Sequence, residues 1–147
     1  MKIHTSTNLA FITMIFSALL FLQSCSSKGG DPSPADQMKA ILIAGSWNLQ
    51  TVSVDGVDKT AVYTGLTIKF TDGNFTTTNG RVVWPASGTW QFANDSGKII
   101  TRGDGLSITI EEATASKLIL KFNWSQNTLG PGRTTSVKGE NVFTFGK

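Results

Sequence analysis

The sequence predicts an all-β protein, an antiparallel sandwich or barrel of about eight strands with a short N-terminal helix. Three observations lead there. After residue 45, apolar residues alternate with polar ones at period two through most of the chain. Clusters of Gly, Asn and Asp interrupt the alternation roughly every 8 to 12 residues, the spacing of short antiparallel strands. No segment has the strand, long helix, strand spacing that a parallel sheet needs.

The helix comes first. Ser33 can cap, Pro34 suits the first helical position, and Asp36 stands three residues after the cap, as in a capping box. The helix is expected to run to about Ala44 and stop at Gly45, with Met38, Ile41, Leu42 and Ile43 as its apolar residues. A helix this short can plug one end of a barrel.

The strands follow. Trp47 and Leu49 alternate with Asn48 and Gln50, whereas Val52 and Val54 fall on the other parity, so a bulge is expected near Thr51. Leu66, Ile68 and Phe70 form a half-buried strand, and Asp72-Gly73-Asn74 turns the chain into a return strand from Phe75 to Thr78. Thr89 to Phe92 and Ile99 to Thr101 are two more, closed off by Asn94-Asp95-Ser96-Gly97 and Gly103-Asp104-Gly105. Leu106, Ile108 and Ile110 mark the next, then Leu118, Leu120, Phe122 and Trp124, and after a loop over Gln126 to Arg133 a last strand carries Val142 to Phe145. Threonine is abundant at the outward positions, as a solvated β surface prefers.

Ahead of the domain lies a leader. Lys2 supplies a positive start, and Leu9 to Leu22 is almost wholly apolar yet shorter than the about 20 residues a membrane span needs. Leu22-Gln23-Ser24-Cys25 resembles the bacterial lipobox, which implies cleavage before Cys25, a diacylglycerol on its sulfur and acylation, typically by palmitate, of the new amine. Cys25 is the single cysteine of the chain, so it has no internal disulfide partner. The expected organisation is a signal peptide over 1–24, a flexible tether over 25–34 and a barrel domain over 35–147. The Gly-, Ser- and Pro-rich tether is similar to those of Bacteroidota lipoproteins, with Asp31 its one acid. The expected location is the cell envelope, anchored by lipid to the outer membrane, with its face left open.

Cleavage would also remove His4, the single histidine. The mature chain would then hold neither imidazole nor free thiol, which excludes Ser-His-Asp and Cys-His chemistry and zinc or copper sites with nitrogen or sulfur ligands. With Lys2 gone, 13 basic residues become 12 against 10 acidic ones, scattered without a stripe, so nucleic acid is not an expected partner. Asp55, Asp58, Asp72, Asp95 and Asp104 read as turn residues. Glu111 and Glu112 are expected to point to opposite faces of one strand, which keeps them from acting as a catalytic pair. No cofactor, no metal and no enzymatic activity are expected.

The segment Gly45-Ser46-Trp47-Asn48-Leu49, preceded by a helix, resembles the Gly-X-Trp motif that opens the first strand of lipocalins and lipocalin-like domains. "LTIKFTDGNF" over 66–75 and Gly88-Thr89-Trp90-Gln91-Phe92 are similar to the hairpins of lipocalin-like bacterial lipoproteins. The resemblance covers most of 45–124 and implies a small antiparallel up-and-down β-barrel of about eight strands. It implies that Trp47 packs across the closed end of the barrel under a basic residue from late in the chain, for which Arg133 and Lys138 are the candidates. It also implies a small apolar or amphipathic ligand, with Trp47, Trp84, Trp90, Phe92, Phe122 and Trp124 as candidate contacts. The same aromatic list reads by default as a filled core, and in that case the protein would be a non-catalytic structural or interaction subunit of an envelope assembly. Trp84-Pro85 stands apart in a linking segment, either as a lid packed over the barrel end or as a stacking surface at its mouth.

Overall fold

A computed structural model describes residues 30–126 and 136–147. The expectations for the signal peptide, for Cys25 and most of the tether, and for Arg133 concern residues outside this set. Pro32 to Lys147 forms one compact unit.

Helix α1 spans Pro34–Ile43. Ser33 Oγ accepts from the Asp36 amide at 3.1 Å, and the Asp36 carboxylate accepts from the Ser33 amide at 3.2 Å, so two otherwise orphaned donors of the first turn are satisfied reciprocally. Leu42 is its fully buried residue.

Among the described residues nine strands follow: β1 (Ser46–Val54), β2 (Val57–Asp58), β3 (Thr67–Thr71), β4 (Asn74–Thr78), β5 (Ser87–Phe92), β6 (Ile99–Arg102), β7 (Ser107–Ala113), β8 (Lys117–Trp124) and β9 (Gly139–Gly146). The two-residue β2 only folds back onto the end of β1. The other eight pair antiparallel in chain order, and β9 returns to β1, which closes the sheet into an eight-stranded barrel. Closure removes the exposed edges that an open sheet would present.

Two bulges set which side chains face inward. In β1, Leu49 pairs with Phe145 and Thr51 with Thr144, which leaves Gln50 as the extra residue. Trp47 before the bulge and Val52 and Val54 after it therefore all point into the barrel despite their opposite parity. In β7, Ile110 pairs with Leu120 and Glu112 with Ile119, so Glu111 is extra. This corrects the expectation for the adjacent glutamates. The bulge turns both outward, where Glu112 pairs with Lys117 at 2.8 Å.

The two ends of the barrel differ. At one, α1 lies beside the β3–β4 and β5–β6 turns. Lys39 pairs with Asp72, and a Cβ on Gly97 would press on Ala35, Pro34 and Met38. At the other end, the β1–β3, β4–β5 and β8–β9 connections turn Tyr63, Val83, Trp84 and Val137 into the core. Asp55 ties this end together: its amide donates to the Glu140 carbonyl, and its carboxylate accepts from the Glu140 amide, both at 2.8 Å.

Candidate functional site

Inward positions on neighbouring strands stack into layers, because alternate residues share a face. At the helix end, Trp47 Nε1 donates to the Leu42 carbonyl at 3.0 Å, and Lys147 Nζ sits 4.4 Å from the centre of the Trp47 ring. Among the described residues Lys147, and not Lys138, is thus the cation over this tryptophan. The last strand ends beside the start of β1, so its following residue reaches the ring. Trp90 Nε1 donates to the carbonyls of Thr71 and Asn74, at 3.0 and 2.9 Å, and its ring meets Phe70 and Phe92 edge-on. Trp47 and Trp90 therefore spend their polar atoms on backbone and act as pins between elements.

The far end is built differently. Trp84, carried on the β4–β5 connection, is 1% exposed and reaches across the interior. Its ring meets Phe75, Phe122 and Phe143 edge-on, with centres 6.0, 5.7 and 6.0 Å away. It is thus inside the barrel, with no face left open to the surface for stacking. Tyr63 meets Phe143 at 5.0 Å, and Phe122 stacks on Phe143 at 5.5 Å. Arg102, the last residue of β6, lies 5.3 Å from the Trp84 ring centre and 5.9 Å from that of Trp124. Asn141 lies directly across from Phe122 in the β8–β9 ladder. Of the six aromatic candidates, Trp84, Phe122 and Trp124 meet in this layer, while Trp47, Trp90 and Phe92 belong to the helix end.

Charge in the layer is balanced internally. The Arg102 side chain is 3% exposed, and its Nε donates to Asp104 Oδ1 at 2.9 Å, Nη2 to Asp104 Oδ2 and Nη1 to the Val83 carbonyl. The guanidinium bonds hold the Asp104 carboxyl below the usual carboxylate range. Arg102 thereby ties the β6–β7 turn to the loop that carries Trp84. Burial pushes the Tyr63 phenol up to about 12, so it stays protonated.

Four side-chain atoms in the layer are buried without any hydrogen-bond partner among the described residues: Tyr63 Oη, Trp84 Nε1, Trp124 Nε1 and Asn141 Oδ1. The other end of the Asn141 amide is satisfied, since Nδ2 donates to the carbonyls of Val137 and Gly139 at 2.9 Å. Each orphaned buried polar atom costs about 1–3 kcal/mol unless something fills it.

Inward alternation from one closed sheet, a helix at one end, and Trp47 under the Lys147 ammonium make up the frame of this small barrel. A family model described as a lipocalin-like domain matches residues 43–120, more than half of the 147 residues. The chain belongs to the lipocalin-like domain family. No curated protein matches it. The lipocalin-like frame explains why the two ends contrast: the helix end is pinned by Trp47, whereas the mouth is closed by side chains borne on connections.

Tyr63, Arg102 and Asn141 were not among the sequence candidates. Two of them had a signal. Arg102 follows Ile100 at inward parity, and Asn141 precedes Phe143 and Phe145 at inward parity, so each is a polar residue on an apolar face. Tyr63 sits in an irregular connection where no periodicity exists to place it.

Proposed function

We propose that this protein is a membrane-tethered lipocalin-like lipoprotein that binds a small apolar or amphipathic ligand in its barrel and catalyses no reaction. The observation that carries the binding reading is the set of four orphaned polar atoms among the aromatic rings at the mouth. A pure core would be expected to satisfy or omit such atoms, whereas a binding interior keeps a few for orientation. The tether reading rests on the leader and on the lipobox around Cys25, and it places the protein in the cell envelope, at the outer membrane. Two acyl signals on one residue give stable anchoring, where one chain alone gives only marginal binding. The want of a histidine or a thiol beyond the leader and Cys25 supports the non-catalytic part.

A second reading, a structural subunit of an envelope assembly, is favoured by one observation. The aromatic rings of the interior already touch, with centres 5.0 to 6.4 Å apart. Two experiments separate these possibilities. Cys25→Ala should move the protein from the membrane to the soluble fraction and abolish incorporation of labelled palmitate; a variant that stays labelled and membrane-bound overturns the anchor. Titration with the fluorescent apolar probe 1-aminoanthracene should give saturable, one-to-one binding. A linear, unsaturable signal favours the structural subunit.

A further inference from the structure

The mouth layer also specifies what kind of ligand it suits. We infer that the barrel takes an uncharged aromatic molecule bearing a hydrogen-bond acceptor such as a ketone, quinone or ester carbonyl, held by the indole N–H groups of Trp84 and Trp124. This inference rests on the ligand-binding reading given above and narrows it.

The orphaned atoms belong to one contiguous set of side chains. Tyr63 and Trp84 both touch Phe143, and Trp84 also touches Phe122. Trp124 lies two residues beyond Phe122 on the same inward face, and Arg102 stands against both Trp84 and Trp124. Asn141 is the cross-strand partner of Phe122. Every member is at least nine-tenths buried.

The donor and acceptor inventory then decides the chemistry. Indole nitrogen only donates, so Trp84 and Trp124 present two donors and no acceptor. The protonated phenol of Tyr63 adds a third donor that can also accept. Asn141 Oδ1 is the one obligate acceptor, because its amide nitrogen is already committed to two carbonyls. Donors therefore outnumber acceptors, and the complementary ligand is rich in acceptors.

Charge excludes the alternatives. Arg102 is the one buried charged side chain among the described residues, and Asp104 neutralises it from the adjoining turn. An anion would have to compete with Asp104 for a guanidinium that already donates from Nε, Nη1 and Nη2. A cation would find no buried carboxylate, and it would face Arg102. A net charge desolvated in this layer would go uncompensated, which is far costlier than a desolvated carbonyl. The ring walls of Phe122, Phe143 and Trp84 favour a planar apolar body. Admission requires Tyr63 or Trp84 to yield; both are carried on connections and not on barrel strands.

The test uses the full chain in detergent with its tryptophans labelled with nitrogen-15, titrated with four small probes and read at the indole N–H resonances. Acetophenone should bind at least tenfold more tightly than ethylbenzene, benzoate or benzylammonium and should shift the Trp84 and Trp124 resonances. Trp84→Phe and Trp124→Phe keep a ring and remove the donor. Each should cut acetophenone affinity several-fold more than it changes ethylbenzene affinity. If ethylbenzene matches acetophenone, or benzoate exceeds it, the inference about ligand class is overturned and ligand binding itself stands. If none of the four moves any indole resonance, both the inference and the binding reading fall.

Discussion

Arg102 and Asp104 are separated by a single glycine, yet one is buried and the other half exposed, at 3% and 50%. Asp104→Asn leaves the guanidinium against two tryptophan faces without its counter-charge. A loss of about 1–2 kcal/mol is expected, between the values for exposed and for fully buried pairs, because water reaches Asp104. Its lowered carboxyl affinity for protons also sets a pH dependence. The folded form holds the proton less tightly than the unfolded chain, so the stabilisation is complete above the unfolded value of about 4 and fades as pH falls through the lower folded value. Urea unfolding of wild type and Asp104→Asn at pH 6 and pH 3 should show a gap that narrows at the lower pH. At the helix end, Lys147→Ala should cost about 0.5–1 kcal/mol through loss of the cation over Trp47, and Lys147→Arg should retain it. Thermal unfolding of the two variants checks this. Sequence alone marked Trp47 but not its cation, because that contact joins residues 47 and 147 and depends on how the barrel closes.

At the scale of elements, the capping residues and bulges do most to place side chains. Ser33→Ala removes one half of the reciprocal cap of α1 and should cost about 1 kcal/mol, read as a lowered midpoint in urea. Gly139 is a second control point. Its φ is +128°, and a Cβ there would overlap the Asp55 carboxylate that binds the Glu140 amide. Gly139→Ala should therefore separate the start of β9 from the end of β1, destabilising by more than about 1 kcal/mol and speeding hydrogen exchange at the Glu140 amide. The strands themselves were legible in the sequence because a half-buried strand repeats every two residues. The bulge in β1 was legible for the same reason, as a change of parity between Leu49 and Val52. The bulge in β7 was not. Glu111 and Glu112 are both polar, so an extra outward residue leaves no break in the apolar pattern.

For the whole molecule, Trp84 matters most. It comes from a connection, fills the mouth, and touches residues of three strands in addition to Arg102. Trp84→Ala should cost about 3–5 kcal/mol if the space stays empty. Calorimetry should find part of that loss recovered when acetophenone is added, because a ligand bound only by the folded state raises its stability. The amino-acid sequence by itself determined the antiparallel strands, the helix before them and the inward alternation, since each follows from local periodicity and turn chemistry. The proposed lipid anchor at Cys25 is likewise read from a linear pattern, which needs no fold. Only the tertiary structure decided which tryptophans are pins and which are orphans. Trp47 and Trp90 find backbone carbonyls, whereas Trp84 and Trp124 do not. The physical reason is that hydrophobicity assigns a residue to a face, while the partner of its one polar atom is set by segments distant in sequence that barrel closure brings together.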